Sequence, residues 1–154
     1  MNHYCIKNSR AAIETFSGVL LLTCGCVIYL LFRSRSLNIY QWCSALGLMG
    51  FIDYCRDIVQ GWYVPDVVRF CLPDGMYCAS YILIVDAIWH KENGKLKYVI
   101  LSLVPIITIS SELLQSLNFI RGTFDVFDLI CYALPPLIYI CFITLQKLKK
   151  EQQI

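Results

Sequence analysis

Glu112, Gln115, Arg121, Asp125 and Asp128 fall in one short stretch of a strongly apolar chain, SSELLQSLNFIRGTFDVFDLICYALPP. Carboxylates, an amide and a guanidinium close together can hold an anion, accept a ligand's hydrogen bonds or move a proton. Glu112 and Gln115 are three apart, as are Asp125 and Asp128, so each pair shares a face if its segment is helical. Glu112 lies about six residues inside its apolar run, or ~9 Å below the rim at ~1.5 Å per residue. A carboxylate that deep in hydrocarbon must be paired, protonated or hydrated.

Simpler roles exist for several of these residues. Glu112 suits a structural pair with Arg121 or with a neighbouring helix. Thr123 is a plausible N-cap, and Asp125 then sits in the first helical turn, where negative charge is favoured. Neither role covers Asp128, one turn deeper, which makes it the most informative acid. Asp74 in LPDG reads as an N-cap at the start of a helix, at the same level as the other acids. Arg121 suits an interfacial snorkeler, a carboxylate partner or an anion hook.

The elements that position these residues must be membrane helices. The 154 residues are 58% apolar and 16% charged, with mean hydropathy +0.60, far from a soluble composition. Apolar runs predict an all-α, polytopic bundle of five spans at 12–32, 38–56, 75–89, 98–118 and 124–145, forming one domain over 1–154. The short link SLNFIRGT makes the last two spans an antiparallel hairpin, with Gly122 at the reversal. The first run exceeds a signal-peptide core and is expected to be retained. DIVQGWYVPDVVRFCLPDG reads as an interfacial loop or an ordered lid.

With five spans, Arg33, Arg35, Lys91, Lys95, Lys97, Lys147, Lys149 and Lys150 share one side. The excess of positive charge assigns that side, and the C-terminus, to the cytoplasm, and places the N-terminus and the acids outside. Asp86 and Glu92 then belong to the inner half.

A net charge of +2 with scattered basic residues excludes nucleic-acid binding. Most of the nine cysteines sit in apolar runs and behave as small hydrophobes; a Cys55–Cys71 bridge requires an oxidising loop. His3 and His90 fall on opposite sides in this topology, so no histidine-based catalytic set assembles. No cofactor is expected, with no metal ligands assigned beyond what a hard divalent cation would take from the carboxylates.

The run Glu112-x-x-Gln115, Arg121, Asp125-x-x-Asp128, preceded by the acidic turn LPDG, resembles the VanZ-like membrane proteins. That family is named for a bacterial accessory protein of glycopeptide resistance, chiefly to teicoplanin. The resemblance covers residues 110–136 and little of the first 60. Tyr132 and Pro135 stand where members usually carry an asparagine and spaced glycines. It implies a bacterial inner-membrane protein that acts on or binds a cell-envelope component.

The leading expectation is therefore an outward pocket of Asp74, Glu112, Gln115, Arg121, Asp125 and Asp128 that binds a lipid-linked or anionic headgroup. The partners would be a membrane lipid or envelope precursor, with a membrane-protein partner or a second copy also compatible. Three alternatives stand beside it. One is a carboxylate enzyme using Glu112 or Asp128 as general acid or base, another a noncatalytic subunit of a larger complex, and the third a proton-coupled carrier linking Glu112 to Asp86.

Overall fold

The computed structural model describes residues 2–35, 37–92 and 94–152, and the side chains of these except residues 2–8 and 150. The described residues are helical, with no strand. Helix α1 is Asn2–Phe32, α2 Asn38–Ala45, α3 Met49–Val59, α4 Leu72–Ile88, α5 Lys95–Ser116 and α6 Val126–Glu151; a π-helical turn, Val67–Cys71, leads into α4.

Four segments among them are long and apolar enough to cross a bilayer: Ser9–Phe32, Val67–Ile88, Lys95–Ser116 and Val126–Lys149. The expected crossing at 38–56 is divided. Gly47 adopts φ +70°, its N–H reaches Ser44 O at 3.0 Å, and the Leu48 N–H reaches Cys43 O at 2.9 Å. This left-handed C-terminal cap stops α2. At ~1.5 Å per residue, α2 and α3 reach only about 12 and 17 Å, short of a ~30 Å hydrocarbon layer. Apolar composition suggested a span; the turn at Gly47 overrides it.

The α2–α3 pair instead closes the end of α1. The carbonyls of a helix's last turn lack intrahelical partners, and its dipole favours a cation there. Arg56 donates to Leu30 O at 2.8 Å, to Arg33 O at 3.0 Å and to the Tyr40 hydroxyl at 2.6 Å. Tyr40, 4% exposed, donates to Leu30 O at 2.7 Å. Trp42, Phe51, Tyr54, Trp62 and Tyr63 remain exposed on this unit and its exit, as expected of rings at headgroup level.

Helix α4 is the common partner of α1, α5 and α6. Cys78 and Ile82 of α4 pack with Leu101 of α5 and with Tyr132 and Tyr139 of α6. Gly75 lets α4 approach α6 closely: a Cβ there would lie 3.1 Å from Cys131 O. The crossing that contains α4 begins at Val67, not at 75. The Leu72 amide reaches back five residues to Val67 O, and Pro73, which has no N–H to place, occupies the first turn. Asp74 therefore lies inside a helix that started earlier and is not its N-cap.

Helix α5 ends as α2 does. Asn118, at φ 58°, takes the left-handed position; its N–H reaches Gln115 O at 3.0 Å, and the Phe119 N–H reaches Leu114 O at 2.9 Å. Asparagine tolerates this conformation better than most residues. The exit from α5 thus turns at Asn118, before Gly122, and α5 and α6 pack on each other as well as on α4.

Arg10 of α1 donates to Gln146 of α6 at 3.0 Å, so the first turns of the first crossing meet the last turns of the fourth. The first and last described residues lie at one end of the bundle. Every lysine falls in segments at that end, and Arg33, Arg35, Arg56, Arg69 and Arg121 at the other. The basis for separating His3 from His90 disappears with the fifth crossing; the His3 side chain is outside the described residues.

Candidate functional site: an acid cluster and an apolar groove

The acid cluster lies at the end away from the first and last described residues and draws on four segments. The π turn supplies Cys71, α4 supplies Asp74, α5 supplies Glu112, and the start of α6 supplies Asp125, Asp128 and Tyr132. Donor atoms of Cys71, Asp125 and Asp128 lie within 4.8 Å of one another. The Cys71 thiol, on a residue 2% exposed, lies against Asp128. The backbone amide of Asp125 points at the Glu112 carboxylate, which also faces Asp128. Glu112 is only 6% exposed.

Asp125 caps α6. Its Oδ1 accepts the Phe127 N–H at 2.8 Å, and its carbonyl accepts the Leu129 N–H at 3.2 Å. The cap is thus Asp125, two residues after Thr123, because α6 begins at Val126. The capping bond occupies one carboxylate oxygen and leaves the other for the cluster.

Charge compensation is incomplete. Arg33 reaches Asp74 Oδ2 at 3.5 Å and donates to Phe70 O at 2.9 Å, and Tyr132 lies beside Asp74. Glu112 Oε2 and Asp128 Oδ1 are buried without a hydrogen-bond partner. Buried carboxylate oxygens are rarely left so, because each loses its hydration without replacement. These two lie beside two further acids, Asp74 and Asp125.

Asp74, Glu112, Asp125 and Asp128 are brought together as the spacing suggested. Arg121 is exposed in the link and pairs with none of these acids among the described residues, and Gln115 packs over Gly122. The arginine of the cluster is Arg33. Cys71 and Tyr132 are the residues that sequence reasoning missed. Cys55 and Cys71 are both free thiols.

A second polar cluster occupies the opposite end. Asp86 of α4, 4% exposed, pairs with Lys97 of α5, accepts the Tyr139 hydroxyl at 2.9 Å and lies 3.5 Å from Arg10. Arg10 also pairs with Glu14 at 2.6 Å. These groups line a pocket of about 240 Å³. Every charge named here has a partner, in contrast to the acid cluster.

Between the two ends, α1 and α6 diverge over α4 and leave an apolar groove of about 590 Å³, floored by Met76, Ala79 and Leu83 and walled by Leu21, Leu134 and Ile138. Its upper limit is Leu72, Gly75 and Cys131. Gly75 follows Asp74 in α4, and Cys131 lies three residues, about one turn, after Asp128 in α6, so the groove ends at the level of the acids. From Leu72 to Leu83 it follows α4 for ~16 Å, about half of a ~30 Å hydrocarbon layer.

No protein-family model matches this chain, and neither a curated protein nor a solved structure is similar to it.

Proposed function

We propose that the protein binds one chain-bearing lipid of the cell envelope, with a hydrocarbon chain in the groove over α4 and the headgroup at the acid cluster. The observation that carries this reading is the groove's upper limit at Gly75 and Cys131, level with buried carboxylate oxygens that have no partner. A groove one leaflet deep suits a chain, and acceptors at its top suit a headgroup that offers hydrogen-bond donors. In this reading Asp128 and Glu112 accept from the headgroup, and Asp74, beside Arg33 and Tyr132, borders them.

The lysine-rich end, where the first and last described residues lie, is then cytoplasmic, and the acid cluster faces outward. The protein is a multi-pass protein of the bacterial inner membrane, and its resemblance to the VanZ-like proteins makes glycopeptide sensitivity the phenotype to examine. The molecular test is native mass spectrometry of protein extracted in mild detergent. One retained lipid per chain is expected, and Ala79→Trp, which fills the groove floor, should remove it. Identical lipid retention by wild type and Ala79→Trp would reject the groove as the binding site.

A further inference from the structure

We propose that Cys71, Asp125, Asp128 and Glu112 hold a divalent cation of the zinc type. Three donors, one thiol and two carboxylate oxygens from three different residues, already lie within 4.8 Å of one another. Metal–ligand bonds of ~2.0–2.3 Å bring two ligands of one ion to within ~4–4.6 Å, so little adjustment is needed. The independent indication is Glu112. Its carboxylate, on a residue 6% exposed, lies beside Asp128 and the backbone of Asp125, and its Oε2 has no partner.

The electrostatic situation favours the same conclusion. Arg33, the arginine that reaches this cluster, is taken up by Asp74 and Phe70 O. Glu112, Asp125 and Asp128 therefore have no cation of the chain against them among the described residues, and close carboxylates repel in a low-dielectric setting. A bound dication lowers that repulsion and engages one oxygen of each carboxylate, with the second oxygens of Glu112 and Asp128 left to accept from a headgroup. The donor set selects the ion. One thiolate with carboxylates suits zinc, whereas magnesium and calcium take oxygen alone. Cys71 binds the ion as the thiolate, so the thiol proton leaves to solvent and one proton is released from it per ion.

The backbone also serves this arrangement. The Cys71 position is set by the π turn, a local irregularity of the kind that recurs at functional sites. The aspartate that caps α6 keeps one oxygen on Phe127 N–H and is thereby held in place with the other free. The site stands on its own geometry and rests on the lipid reading only for its use, which is to lower the negative charge of the acid cluster where the headgroup sits.

The experiment uses the full chain in detergent, stripped with chelator and titrated with Co2+ as a spectroscopic substitute for Zn2+. One ion per chain is expected, with a thiolate-to-cobalt charge-transfer band and one proton released. Cys71→Ser should abolish the band, and Glu112→Gln should weaken binding about tenfold or more. Glu92→Gln, which removes an exposed acid at the opposite end, should leave affinity unchanged. Circular dichroism of each variant separates lost binding from lost fold. Absence of the band in folded wild type, or equal weakening by Glu92→Gln and Glu112→Gln, overturns the site. Cobalt binding as expected, with lipid retention unaffected by the ion, supports the site and rejects its use for a headgroup.

Discussion

Lys97 of α5 sets its ammonium against the carboxylate of Asp86 of α4, and both residues are more than nine-tenths buried. Tyr139 of α6 and Arg10 of α1 reach the same carboxylate, so one acid ties together all four crossing segments. Removing a single partner from a buried pair leaves an uncompensated charge, which typically costs about 3–5 kcal/mol. Lys97→Met should therefore lower the thermal midpoint in detergent markedly, and adding Asp86→Asn should recover part of the loss. A single variant as stable as wild type would show that the pair holds nothing together.

The docking of α2–α3 depends on Arg56, whose bonds to Leu30 O and Arg33 O satisfy the end of α1. Hydrogen bonds from a charged donor contribute ~1.5–3 kcal/mol when partly buried. Arg56→Ala should release this unit while the four crossings stay packed. Faster amide exchange confined to residues 38–59 would bear this out; unchanged exchange there would assign the docking to the Tyr40, Cys43 and Ile52 cluster.

The number of crossings has a direct test in side-specific labelling, on a background with the native cysteines replaced. Reporters at Asn38 and Asn118 should react from one side, and those at Glu92 and Gln152 from the other. Labelling of Asn38 together with Gln152 would restore a crossing between residues 38 and 56 and place the chain ends on opposite sides.

The membrane class and the all-helical fold were legible because an apolar run about 20 residues long matches the hydrocarbon thickness and must satisfy its own backbone there as a helix. The break at Gly47 was not, since it depends on a left-handed turn that hydropathy does not register. Glu112 and Asp128 stand out by their depth in apolar sequence, and the structure does place them together. Arg121 looks equally suitable in sequence, yet it sits beyond the turn at Asn118, where the chain has already left the bundle. Cys71 is hidden among many apolar cysteines, and only the π turn brings it to Asp128. Tyr132 reads as a departure from a family pattern, although it lies beside Asp74 in the cluster. The Asp86–Lys97 pair escapes notice because Lys97 reads as a loop lysine in sequence, while in the fold α5 begins at Lys95.

Whether the groove and the acid cluster form one lipid site can be measured directly by photocrosslinking in native membranes. The probe is a phospholipid analogue carrying a diazirine on its chain, and peptide mapping locates the adducts. Adducts concentrated on Met76, Ala79, Leu83 and Leu134, with reduced yield in Glu112→Gln, are the expected result. Adducts spread evenly over exposed faces, for example at Ile106 and Ile107 of α5, and insensitive to Glu112→Gln, would contradict a single site.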